Sequence, residues 1–266
     1  MIIDFHAHVF PDKIAAATIG ALSSGANIPA HASGTLDGLC RSMDEAGVDI
    51  SVNLPVLTKP TQFDSIFAFA KEMNQKCKRV ISFAGIHPSD ENYHDHLYMV
   101  KEAGFLGVKI HPDYQGTFFD DQRYVNILSL AKKLDLITLT HAGFDGAFVG
   151  QEIKCTPTRT LRLLDKIGGY GKLVLAHLGG NELYGDVLEE LCGEDVYFDT
   201  AYVLPFLTQT QVEKVILKHG EGKILFATDS PWQGQREMVD MVKSFGLPKE
   251  TENKIFCENA KNLLKL

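Results

Sequence analysis

Apolar residues in this chain gather into short continuous runs separated by stretches of helical spacing. The runs are residues 2–5, 49–54, 80–86, 107–110, 136–140, 173–176, 196–199 and 223–228. Most are unbroken Val, Ile, Leu and Phe rather than alternating, as expected of parallel strands covered on both faces. Between them, residues 36–46, 63–77, 124–134, 158–167, 211–219, 237–245 and 254–264 carry the spacing of amphipathic helices. Gly47, Gly168, Gly220 and Gly246 follow four of these, where a residue tolerant of a left-handed backbone ends a helix. Asn253 is the expected cap of the last one.

Eight strands alternating with helices over 266 residues make units of about 33 residues. That is the size of a βα repeat, and it predicts one domain over residues 1–266, a single (β/α)8 TIM barrel. Two connections are longer, residues 9–35 and 200–210, with Pro, Gly and aromatic residues in them. Loops after strands build the active-site face of such a barrel, so both are expected to wall the pocket.

Composition narrows the function. With 26 basic and 34 acidic side chains the formal charge is -8, which argues against a nucleic-acid footprint. Lys76, Lys78 and Arg79 are most simply a helix end meeting its dipole. Five Cys are scattered with no Cys-x-x-Cys pair, so reduced thiols in a cytoplasmic protein are expected. The first strand starts at once, so no signal peptide is expected, and no apolar run nears the ~18 residues of a membrane span.

The chemistry sits at strand ends. The first strand runs into His6-Ala7-His8, and residues two apart on a strand share a face. The third run leads to His87, the fourth carries Lys109 and reaches His111, the fifth leads to His141, the sixth to His177, and the eighth to Asp229. In a closed barrel these ends converge on one mouth. Imidazoles with a carboxylate suit a borderline divalent ion such as Zn²⁺, which lowers the pKa of a bound water to about 7. Asp229 is the candidate to accept the proton.

These residues resemble the amidohydrolase superfamily of metal-dependent barrels. The pattern shared is His-x-His on strand one, Lys on strand four, His on strands five and six, and Asp on strand eight. The stretches Gly107–His111–Pro112, Ala176-His177-Leu178-Gly179-Gly180 and Thr228-Asp229-Ser230-Pro231-Trp232 are most similar to its amidohydrolase-related branch, which holds aromatic-acid decarboxylases and dicarboxylate lactonases. The resemblance implies one ion, usually zinc, on His6, His8, His141 and Asp229. It leaves His177 as an acid/base or water-orienting catalytic residue beside Asp229. Lys109 is then either a carboxylated bridge in a two-metal site or an ammonium gripping a substrate carboxylate, the second being preferred. Manganese is the alternative ion, and a homodimer the assembly that the resemblance implies.

Around this set, His111 shares the Lys109 face and is expected at substrate, as are His87 and Trp232. The bland readings are a turn shaped by His87 and Trp232 packed on the final helix. Tyr114, Tyr202 and His31 are weaker pocket candidates; His94, His96 and His219 receive no role. The expected activity is hydrolysis of an amide, ester or lactone bond in a small, anionic, carboxylate-bearing molecule. The alternative is non-oxidative decarboxylation of an aromatic or unsaturated acid. A nuclease of the same superfamily would share Gly85-Ile86-His87-Pro88, but Lys109 and the acidic charge weigh against it. A barrel that binds metal without turnover is opposed by the intact ligand set.

Overall fold

All adjacent strand pairs run parallel. In the computed structural model, which describes residues 1–266, the strands are β1 (Ile3–Ala7), β2 (Ile50–Asn53), β3 (Val80–Ser82), β4 (Ala84–Gly85), β5 (Gly107–Ile110), β6 (Ile137–Thr140), β7 (Leu173–Leu175), β8 (Tyr197–Asp199) and β9 (Ile224–Leu225). β1, β2 and β3 pair in that order, as do β4 through β9. β3 and β4 are two halves of one stave, parted only by the buried Phe83. The Phe83 N–H donates to the Asn53 carbonyl at 2.9 Å, so the ladder passes through the break.

The ring closes between β1 and the segment after β9. Phe5 N–H donates to Phe226 O (2.9 Å), Asp229 N–H to His6 O (2.8 Å), and His8 N–H to Ser230 O (2.6 Å). A buried side chain reinforces this seam. Asp4 Oδ1 accepts from the backbone N–H groups of His6 (3.1 Å) and Thr228 (3.0 Å). Its Oδ2 accepts from the Thr228 hydroxyl and the Gln235 amide, both at 2.7 Å. The result is an eight-staved parallel barrel, as the spacing of apolar runs predicts.

Alternating stave positions divide the core. Ile3, Phe5, Val52, Leu54, Leu139, Val174 and Ala176 pack together, and Ala260, Leu263 and Leu264 of the last helix join them. Val108, Ile110, Leu173 and Leu175 instead meet residues of the surrounding helices. These helices are α1 (Asp12–Ala26), α2 (Leu36–Ala46), α3 (Phe63–Lys76), α4 (Tyr93–Glu102), α5 (Gln122–Lys133), α6 (Pro157–Ile167), α7 (Tyr184–Asp186), α8 (Gln209–His219), α9 (Gln235–Ser244), α10 (Lys249–Asn253) and α11 (Asn259–Leu264). None is long and apolar enough to cross a membrane.

Three expectations change. The 9–35 connection contains a 15-residue helix, α1, of which only Ala15 is buried; with so narrow an apolar stripe its periodicity carries little signal. Asn253 is no cap, since it has helical angles (φ -66, ψ -37) within a run from Lys249 to Leu264. Pro248 lies just ahead of that run, its ring holding φ at -50°, and so the helix starts there. Thr208 caps α8 with Gln211 in a reciprocal box, which begins that helix inside the 200–210 connection rather than after it.

Candidate active site

β1 carries one residue more than its partner between the pairs Asp4↔Ser51 and Ala7↔Asn53. Such a bulge re-aims side chains locally. Here Phe5 stays with the interior apolar set while His6 and His8 bring their Nε2 atoms to 3.2 Å of each other. Asp229, held in the left-handed region (φ 66), puts Oδ1 3.1 Å from His8 Nε2 and 3.4 Å from His6 Nε2. A non-glycine residue in that region is uncommon and tends to occur where function demands it.

The outer ring nitrogens fix where the lone pairs point. His6 Nδ1 lies 2.8 Å from Asp199 Oδ2, and His8 Nδ1 2.9 Å from the Leu54 carbonyl. Both acceptors require the proton on Nδ1, so both Nε2 atoms are bare. Burial and the positive charge of Lys109 also push the His6 pKa well below its ordinary value, keeping the ring neutral. Two bare imidazole nitrogens and a carboxylate oxygen thus face one another at 3.1–3.4 Å. Tetrahedral donors about 2.05 Å from an ion stand about 3.3 Å apart, so the trio fits a divalent cation. A bound ion would supply positive charge and Lewis acidity there.

Lys109 Nζ adjoins the trio, 3.2 Å from His6 Nε2. It is fully buried, and desolvation pulls its pKa down to about 8. His177 donates Nδ1–H to the Ala201 carbonyl (2.9 Å) and faces His141 Nδ1 with its Nε2 at 2.9 Å. His141 Nε2 is buried without a protein partner. His111 stacks on His141 with centroids 4.3 Å apart and planes 7° from parallel. Its Nε2 reaches Asp145 Oδ2 at 3.3 Å.

Asp199 ties these groups together from beneath. Its Oδ2 holds His6, while Oδ1 accepts from the backbone N–H of His177 (2.9 Å) and of Ala201 (3.0 Å). It is wholly buried, and desolvation raises its pKa to about 6.

A sequence profile described as amidohydrolase matches residues 3–266. The chain belongs to the amidohydrolase family. Members of that family are metal-dependent enzymes. Comparison with curated protein sequences finds no match. Among solved structures, the chain is similar to 2,6-dihydroxybenzoate decarboxylase from Rhizobium, at 16% identity and TM-score 0.73 over 99% of this chain and 98% of that one. It is similar to a dihydroxybenzoic acid decarboxylase from a Polaromonas species, with bound manganese and the inhibitor 2-nitroresorcinol, at 17% identity and TM-score 0.73 over 100% and 97%. It is also similar to 5-carboxyvanillate decarboxylase from Sphingomonas paucimobilis, at 15% identity and TM-score 0.72 over 100% and 99%. At such identities the likeness is one of fold, and it agrees with the barrel.

Within this family member, then, His6, His8 and Asp229 converge, Lys109 adjoins them, and His141 and His177 pair alongside. His87 is buried and accepts from the Ser89 N–H at 3.0 Å, a turn contact that does not reach the trio. Trp232 is half-buried, and its backbone N–H donates to the Asp229 carbonyl at 2.8 Å. Tyr114 stands edge-on to His111 at 4.7 Å and to Phe148 at 4.9 Å. The Tyr202 ring lies 6.4 Å from that of His177, whereas His31 faces Glu237 at 3.4 Å. Asp199 and Asp145 went unread in the sequence. Asp199 ends a predicted strand, which was a usable signal; Asp145 sits in a loop with none.

Proposed function

We propose that this protein is a metal-dependent, non-oxidative decarboxylase of a small hydroxylated aromatic or unsaturated acid. The observation that carries this reading is Lys109, a buried cation-forming side chain hydrogen-bonded to the trio at 3.2 Å. A carboxylate entering this recess would meet an ammonium partner beside the residues that would hold the ion, away from water. The fold's similarity to decarboxylases of hydroxybenzoic acids supports the same choice.

Decarboxylation breaks the bond between a ring carbon and the carboxylate carbon. The electron pair stays on the ring carbon, which takes up a proton as CO₂ leaves. An ion held by His6, His8, His141 and Asp229 would supply the positive charge that draws electron density during that cleavage. Lys109 anchors the carboxylate, and burial strengthens each electrostatic contact. His177, with Nδ1 committed to Ala201, has Nε2 as the atom that can hold and release the proton. Tyr114, Tyr202 and Trp232 are partly exposed around the mouth and suit a planar substrate. Zinc is the proposed ion, because imidazoles dominate the donor set.

A second reading, hydrolysis of a lactone or ester, is favoured by Asp229 Oδ1 standing 3.1 Å from His8, where it could take a proton from an attacking water. One experiment separates the two. Protein of measured metal content is incubated with 2,6-dihydroxybenzoate, related 2-hydroxybenzoates and unsaturated dicarboxylates while CO₂ is followed. A lactone and ester panel is followed in parallel by proton release. CO₂ evolution that chelation abolishes supports decarboxylation. Lactone turnover without CO₂ replaces it with hydrolysis, and silence on both panels with metal bound removes both.

A further inference from the structure

The run Lys76-Cys77-Lys78-Arg79 reads in the sequence as a helix end, and the structure gives it a further role. Val80 N–H donates to the Cys77 carbonyl at 3.4 Å, which folds residues 77–80 into a turn between α3 and β3. From that turn Arg79 reaches α2 and the residues after it. Its Nη1 donates to Asp44 Oδ1 at 2.6 Å and its Nη2 to the Val48 carbonyl at 2.9 Å. Asp44 lies four residues after Cys40, so the two share one face of α2. The turn meets that face twice, and at the second meeting the Cys40 and Cys77 sulfurs stand 3.9 Å apart. No other two of the five cysteines adjoin: Cys155 and Cys257 are buried apart, and Cys192 is half-buried alone.

Two thiols in contact can simply fill space, but this pair differs from packed cysteines in three ways. Cys40 and Cys77 are both partly exposed, so a reagent in solution can reach them. The sulfurs need to approach by about 1.9 Å to bond, and Cys77 has left helical angles (φ -132, ψ 114) and belongs to no strand. Its turn can therefore supply the movement without breaking a ladder. Basic side chains also crowd Cys77. Lys78 is exposed and Arg79 adjoins it, while Lys76 is paired with Glu72 at 2.5 Å. Such a cluster draws an anionic reagent to Cys77 first. Burial, the Cys77 thiol and Asp37 push the Cys40 pKa from 9.0 up to about 11 against the pull of Arg79, so Cys40 is the sulfur that reacts second.

We propose that Cys40 and Cys77 are a reversible dithiol–disulfide site, oxidised by a small anionic disulfide of the glutathione class. The inference is independent of the reaction at the barrel mouth. The Cys77 sulfur gives up its proton and attacks one sulfur of glutathione disulfide. The reagent's S–S bond breaks, a mixed disulfide forms on Cys77, and one glutathione leaves as its thiol. The Cys40 sulfur then loses its proton and attacks the Cys77 sulfur, and the second glutathione leaves with that proton. Two protein thiols are oxidised to one disulfide while one glutathione disulfide is reduced to two thiols. The new bond joins residues 37 apart in sequence and encloses β2. Closing such a loop restricts the unfolded chain and so raises the thermal midpoint.

The test equilibrates wild type and Cys40→Ser with glutathione buffers of rising oxidised fraction, quenches them in acid, alkylates them in denaturant and weighs them intact. Wild type should pass from five alkylated cysteines to three, five less the bonded two, with no glutathione attached. Peptide mapping should find Cys40 joined to Cys77, and dithiothreitol should restore all five thiols. The oxidised form should melt several degrees above the reduced one. Cys40→Ser should stop with one glutathione on Cys77. Wild type that keeps five thiols in the most oxidising buffer overturns the proposal, as does a bond mapped to another pair or glutathione retained on Cys77 beside a free Cys40. An oxidised form that melts below the reduced one, or Cys40→Ser that takes no glutathione, overturns it too. Should Cys40→Ser not fold, the mapping of wild type decides alone.

Discussion

Asp113, two residues past His111, offers a test of the electrostatics that needs neither metal nor substrate. Its side chain is only 7% exposed. Oδ1 accepts one long hydrogen bond from Lys154 N–H (3.3 Å), and Oδ2 has no partner. Desolvation therefore raises the pKa from 3.8 to about 6. A folded-state pKa above the unfolded one means the fold favours the protonated acid. Its contribution is intact below pH 4 and is lost as pH climbs through 6. A shift of about two units corresponds to about 3 kcal/mol at most, of which roughly half is already lost at pH 5. Asp113→Asn keeps an oxygen for Lys154 and removes the charge. Relative to wild type it should gain about 1–3 kcal/mol at pH 8, or several degrees in the thermal midpoint. The gain should shrink by about half at pH 5. Urea unfolding at both pH values measures it. A stability difference that is the same at pH 5 and pH 8 would refute the reasoning.

Asp199→Asn turns an amide toward His6 Nδ1–H and forces the His6 proton onto Nε2. Zinc affinity should fall about tenfold to a hundredfold, read by chelator competition, with no loss if His6 is not a ligand. Lys109→Met removes a buried amine whose pKa desolvation lowers to about 8, so that at pH 6 the fold holds a poorly solvated ammonium. The variant should melt higher than wild type at pH 6 yet show a much raised KM for any carboxylate substrate, with metal content unchanged. Phe83→Ala empties the joint between β3 and β4, where the ring stands edge-on to Phe5 at 6.1 Å. It should cost about 3–5 kcal/mol in urea unfolding, and a loss below about 1 kcal/mol would mean the joint repacks.

Unbroken apolar runs and period-3.6 patterns are local, so the staves and most helices were legible in the sequence. So were the histidines, because each sits at a strand end and the barrel gathers those ends. α1 was hidden because its buried stripe is a single alanine. The extra residue in β1 was hidden too, since a bulge is defined by its partner strand and not by its own sequence. Asp199 and Asp145 matter through what they touch across the barrel or across a loop, and such pairings exist only once the chain has folded. Asn253 misled because a capping residue looks the same inside a helix as at its start. His87 also follows a strand end, and its Nδ1 accepts from the Ser89 N–H in the turn beyond it.

The seam joins β1 to the segment carrying Asp229, far along the chain, and all three residues of the trio sit on it. During synthesis the donors on β1 are made well before Asp229 and must wait for it. Until then a nascent chain can offer an ion imidazoles but no carboxylate from the eighth stave. Joining segments so far apart in sequence carries a large loop-closure entropy. An ion that binds only the joined form would oppose that entropy by mass action. Metal capture would then report a closed barrel, and a chain ending before Asp229 would lack the carboxylate that completes the trio.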